Sequence, residues 1–160
     1  MNRVGLVRTL KGAIIFLAAM AAFCYAVVFP QRIRLLEEPG RLSADVSWLV
    51  TPGIVAVSVS AVPIAIALVL FWRICTEIGL DNSFCFKNAS RLTGIGFCAL
   101  VDTGYCAVGT VTLELLVGSP VWLLGLMICT VGMAIALTAF LLSHLVLKAA
   151  GMKAENDLTI

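Results

Sequence analysis

The 160 residues are 61% hydrophobic and only 12% charged, against about 25% charged in soluble domains, which excludes an ordinary soluble globular fold. A formal net charge of +2 is too small to argue for a nucleic-acid partner, and no direct nucleic-acid binding is expected. The few charges fall in short blocks, and the runs between them approach or exceed the roughly 20 apolar residues that a membrane span requires.

In chain order, residues 12–29 give 18 uncharged positions and residues 52–72 give 21. Residues 93–118 are apolar apart from Asp102 and Glu114, and residues 120–147 contain one titratable side chain other than Cys, His144. We read an all-α membrane protein with four transmembrane helices in an antiparallel bundle, at about 12–29, 52–72, 93–118 and 120–147. An external loop (30–51), a cytoplasmic loop (73–92) and a cytoplasmic tail (148–160) complete a single membrane domain over 1–160. Arg3, Arg8 and Lys11 precede the first apolar run as in a secretory signal. That run is long for a signal core and lacks a small-x-small cleavage site, so an uncleaved signal-anchor helix is expected.

Orientation follows from the basic residues on each side. With the N-terminus inside, the cytoplasmic pieces hold Arg3, Arg8, Lys11, Arg73, Lys87, Arg91, Lys148 and Lys153, while the external loop holds Arg32, Arg34 and Arg41. Eight against three places both termini in the cytoplasm.

Small residues recur at helical spacing: Ala18, Ala22 and Ala26 in the first span; Gly53, Ala56, Ser60, Pro63 and Ala67 in the second; Gly125, Cys129, Gly132, Ala136 and Ser143 in the fourth. Such stripes let helix backbones approach closely in lipid, where no hydrophobic force drives association. They serve either a compact bundle or a homo-oligomer interface. Pro63 is expected to kink the second helix near its middle, because it removes one backbone donor and clashes with the preceding turn.

Polar groups inside the spans are few. Asp102 lies about ten residues into the third helix, near the bilayer midplane, where an acid costs about 2.5–3.5 kcal/mol on insertion scales. It is expected to face the bundle interior, with Thr138 as the better-placed neighbour. It is read either as a satisfied structural acid or as a group that binds a ligand, proton or ion. Cys98 and Cys106 flank it at i±4, but a fourth metal ligand at that depth is missing, so no metal is assigned. Glu114 falls close to the external surface. His144 falls near the cytoplasmic end of the fourth helix, away from the level of Asp102. The six cysteines include no Cys-x-x-Cys pair and read as small apolar residues. No spacing makes a nucleophile-and-base pair or a phosphate-binding loop, so no catalytic residue, cofactor or enzyme activity is assigned.

The segment at 81–96, DNSFCFKNASRLTGIG, interrupts the apolar sequence. Asp81, Asn82 and Ser83 are turn formers, and Asn88 is placed to cap the third helix. Arg91 then reaches the headgroup level or an acidic neighbour in the tail, Glu155 or Asp157. Phe84, Asn88, Arg91, Leu92, Ile95 and Gly96, together with the closing KAENDLTI at 153–160, resemble the signature of a bacterial integral-membrane family, domain-of-unknown-function family 2975. Cys85, Ser90 and Thr93 depart from that pattern, which favours Ser or Thr at the first position and basic residues at the other two. The resemblance implies a small four-helix inner-membrane protein, often encoded beside a helix-turn-helix regulator of the Cro/repressor type. The expected function is therefore a non-enzymatic membrane regulator or sensor whose cytoplasmic loop and tail contact a partner such as that regulator. The competing expectation is a small transporter or channel component that uses Asp102.

Overall fold

A chain this apolar has to satisfy its amides within each segment, because lipid offers no hydrogen-bond partners, and a helix does so locally. The computed structural model describes residues 3–28, 30–31, 50–80, 84–117 and 122–157. Helix α1 (Arg3–Phe23) runs into a five-residue π-helical segment, Cys24–Val28, and is followed by α2 (Val50–Gly79), α3 (Phe86–Val117) and α4 (Trp122–Asp157). No strand occurs among the described residues. Four helices are long and apolar enough to cross a membrane. Residues 1–2, 29, 81–83, 118–121 and 158–160, most of the expected loop at 30–51 (32–49), and the side chains of Arg3, Val4, Val50, Leu116, Val117 and Asp157 lie outside the described residues.

Hydroxyl side chains in these helices are absorbed by the backbone. Ser58 donates to the Ile54 carbonyl, Thr103 to Ala99, Thr110 to Cys106 and Thr138 to Ala134, all within 2.6–2.8 Å. This one-turn back-bonding removes an unpaired donor without calling on another helix. It also corrects the expectation for Thr138, whose hydroxyl is exposed and serves its own helix instead of Asp102. Helix α2 is continuous through Pro63.

Neighbouring helices run antiparallel. Along α3 and α4, Thr93 meets Ser143, Gly96 meets Phe140, Thr103 meets Gly132 and Thr110 meets Gly125, so one index rises as the other falls. Leu70 meets Gly94 and Ala56 meets Tyr105 across α2 and α3. Lys11 lies over Trp72, and Tyr25 bonds Ser60, across α1 and α2. The α3–α4 contact is the most extensive, followed by α2–α3 and then α1–α2.

The small-residue stripe of α4 is the seam against α3. Gly125, Ala136, Ala139, Ser143 and Ala150 are buried, and the Ser143 hydroxyl donates to the Ala89 carbonyl at 2.7 Å. A Cβ on Gly125 would overlap Thr110, and one on Gly132 would overlap Thr103. On Gly96 it would stand 2.8 Å from the Phe140 ring, which packs edge-on against Phe97. In α1 the alanine stripe faces outward: Ala18, Ala22 and Ala26 are exposed, while Ile14, Ala21 and Tyr25 are partly covered. The Tyr25–Ser60 hydrogen bond, 2.8 Å long, joins the partly covered face of α1 to α2.

Gly132→Ala should therefore lower the melting temperature in detergent, at an overpacking cost of about 1–3 kcal/mol. Gly104→Ala, which meets nothing within 4 Å, should leave it unchanged or raised. Equal effects of the two substitutions in a detergent melt would show that the seam is not close-packed.

Candidate functional site

Two places gather the polar residues singled out in the sequence. The first is the end of the bundle where α2 leads into α3. Asn88 is not the cap expected there. The Cys85 carbonyl accepts from the Asn88 amide at 3.0 Å and from the Ala89 amide at 3.3 Å, so Cys85 is the boundary residue and Asn88 lies three positions into the helix. An amide side chain at that position turns inward, and Asn88 is only 1% exposed, with the largest fully buried side chain among the described residues. Its Oδ1 accepts from Arg91 at 3.0 Å. Phe84, in contrast, is exposed.

Arg91 ties α3 to α2. Besides Asn88, it donates to the Arg73 carbonyl at 3.3 Å and to Glu77 Oε1 at 3.4 Å, with Arg91 and Glu77 each about four-fifths covered. Its acidic neighbour is thus Glu77, where the sequence had pointed to Glu155 or Asp157. Helix continuity is the reason. Thr93 is level with Ser143, and α4 stays helical to Asp157. At 1.5 Å per residue this carries Glu155 about 18 Å beyond that level, whereas Arg91 is two residues from Thr93. Glu155 is exposed, together with Met152, Lys153 and Asn156, at the far end of α4.

The second place is a cavity of about 390 Å³ with walls from all four helices. Leu10, Ile14 and Leu17 of α1, Pro63 and Phe71 of α2, Ile95 and Ala99 of α3, and Gly132 and Ile135 of α4 contribute to it. Asp102 points into this space, as the depth argument had required. Its Oδ1 is shut away from solvent and has no hydrogen-bond partner among the described residues. An unmet buried acceptor costs about 1–3 kcal/mol. Neither His144 nor Thr138 is within reach: His144 is exposed about ten residues higher on the bundle, next to Ser143. Among the described residues no group of three His, Cys, Asp or Glu side chains could hold a metal ion, so Cys98 and Cys106 do not complete a site with Asp102. All six cysteines are free thiols.

Glu114 lines a separate open apolar groove between α3 and α4, beside Leu115 and Trp122. Its Oε2 is also buried without a partner among the described residues, where the sequence had suggested a solvated position. Sequence reasoning missed Glu77 as the partner of Arg91. The signal was available in the index pairing of antiparallel helices that leave and re-enter at the same end.

Asn88→Ala and Arg91→Ala should each lower the melting temperature in detergent. Because they remove the two sides of one hydrogen bond, the double variant should lose less than the sum, by about 0.5–3 kcal/mol. Strict additivity in a double-mutant cycle would show that the two side chains do not act together.

No curated protein and no solved structure matches the chain. Residues 34–160, which include α2, α3 and α4, match the family described as Protein of unknown function (DUF2975). The Asn88–Arg91 cluster and three of the four walls around Asp102 therefore fall inside the matched region, and the chain is a member of that family.

Proposed function

We propose that this protein is a non-enzymatic regulator or sensor in the bacterial inner (plasma) membrane, with both termini cytoplasmic. In this reading the loop at 73–92 and the tail at 148–160 contact a soluble partner, such as the helix-turn-helix regulator that the family resemblance implies. The carrying observation is the reach of α4. Its 36 residues extend about 54 Å at 1.5 Å per residue, well beyond the roughly 30 Å of hydrocarbon. The excess lies at the Arg91 end, where α4 runs on for 14 residues past the Thr93–Ser143 contact. It carries exposed Lys148, Lys153, Glu155 and Asn156, a mixed-charge helical surface that suits a soluble protein better than lipid.

The cluster of Asn88, Arg91 and Glu77 supports the same reading, because it holds the ends of α2 and α3 together beneath that extension. The cation–π contact of Lys11 with Trp72, 5.0 Å from the ring centroid, places a basic and an aromatic residue at this end too. That pairing suits the membrane–water boundary. A second reading, a transporter or channel component, has its own support in the unpaired Asp102 oxygen within a four-helix cavity.

Fluorescent-protein fusions at Met1 and Ile160 should both fluoresce in cells, and alkaline-phosphatase fusions at the same points should stay inactive. The opposite pattern would overturn the orientation. A photo-crosslinking residue at Met152 should capture a soluble cytoplasmic protein, and Lys153→Glu with Glu155→Lys should abolish the adduct. Ion or solute flux in reconstituted vesicles that vanishes with Asp102→Asn, without any Met152 adduct in cells, would favour the transporter instead.

A further inference from the structure

We propose that the Asp102 cavity is a binding site for a lipophilic amine, a compact apolar body bearing one ammonium group. This goes beyond the partner contact and does not depend on it. The space of about 390 Å³ lies within the range of small-molecule sites, which are mostly apolar with few polar groups to fix orientation. Among the described residues, the polar side-chain oxygens that line it belong to Asp102 and Thr103. The Thr103 hydroxyl already donates to the Ala99 carbonyl at 2.6 Å. The Asp102 Oδ1 is left as an acceptor that no described residue satisfies. Among the described residues no Lys, Arg or His lines the cavity, so none of them supplies a cation to pair with this acid.

The chemistry of the walls selects among cations. A hard metal ion takes six or more oxygen ligands, and one carboxylate among alkyl side chains does not provide them. A lone water, whose share of liquid volume is about 30 Å³, would leave most of the space of about 390 Å³ empty. An ammonium on an apolar skeleton suits both the acid and the space: an N–H donates to the Asp102 carboxyl, and its carbon body fills the space bounded by Ile14, Pro63, Phe71 and Ile95. Helix α1 forms one wall and packs mainly on α2, so the cavity borders the lipid phase into which such amines partition.

The probe is 1-aminoadamantane, with 1-adamantanol as its neutral isostere, titrated against the full chain in lipid nanodiscs, with binding to empty nanodiscs subtracted. The amine should bind saturably and at least tenfold tighter than the alcohol. Asp102→Asn should remove that preference and leave the alcohol unchanged, while Ala67→Phe, which fills the cavity from α2, should abolish binding of both. Equal affinity for amine and alcohol in the unaltered protein would overturn the proposal. So would an amine preference that survives in a folded Asp102→Asn variant. Should that variant fail to fold, the amine preference of the unaltered protein and its loss in Ala67→Phe decide the matter, and amine binding that persists in Ala67→Phe overturns the site. Because the Met152 adduct is read in cells independently of any amine, failure of this site and failure of the partner contact are distinguishable.

Discussion

Helices in lipid gain nothing from hiding apolar surface from one another, so close backbone approach has to hold them together. Here that approach is concentrated where α3 meets α4. Gly125, Gly132 and Ala139 recur every seven residues along α4, as do Cys129, Ala136, Ser143 and Ala150. Most of these positions are buried, with Ala136 wholly so. A seven-residue repeat keeps the same face toward a partner helix that crosses at a shallow angle. Once α3 is locked into this seam through Thr93, Gly96, Thr103 and Thr110, the directions of its other side chains are set.

Asp102 illustrates the consequence. It directly precedes Thr103, a seam residue, and each residue turns the helix by about 100°. The carboxyl is thereby swung off the seam and into the space shared with α1 and α2. It stands one heptad from buried Ile95 and two from buried Asn88. The same α3 face thus carries a satisfied amide at one end and an unsatisfied acid near its middle. The difference lies in the neighbours: Arg91 sits one turn from Asn88 and donates to it, whereas among the described residues none donates to the Asp102 Oδ1.

The ends of the bundle follow the logic of water-facing polar groups. Arg91 bridges Asn88, the Arg73 carbonyl and Glu77, so its guanidinium draws on a carbonyl, an amide and a carboxylate from two helices at once. An ion pair with its carboxylate 3.4 Å away and some solvent access contributes little by itself, about 1 kcal/mol or less. The bonds that cross from α3 to α2 are those to the Arg73 carbonyl and Glu77, while buried Asn88, on the same helix as Arg91, orients the guanidinium that makes them. The distal turns of α4 run on beyond the level of this cluster.

The sequence by itself determined the class of this protein. Apolar runs of span length, separated by sparse charges, leave four membrane-crossing helices as the physically acceptable outcome, because a backbone in lipid has to bond to itself. The family signature at residues 84–96 and 153–160 was legible for the same reason that it is short: it marks one helix entry and one ending. The inward direction of Asp102 was legible too, since an acid at mid-depth is costly facing lipid. Only the tertiary structure decided which stripe packs and which partner each polar group finds. The alanines of α1 and the small residues of α4 both recur along one helical face, yet only the second set is covered, because coverage depends on the opposing helix. Asn88 was read as a cap from its residue type, and the start of α3 at Phe86 moved it inside. Arg91 met Glu77 in place of Glu155 because α4 remained helical past the bundle. Each of these outcomes turns on the register between helices, which is fixed by contacts between residues 18 to 50 positions apart and so is not encoded in any local run of the chain.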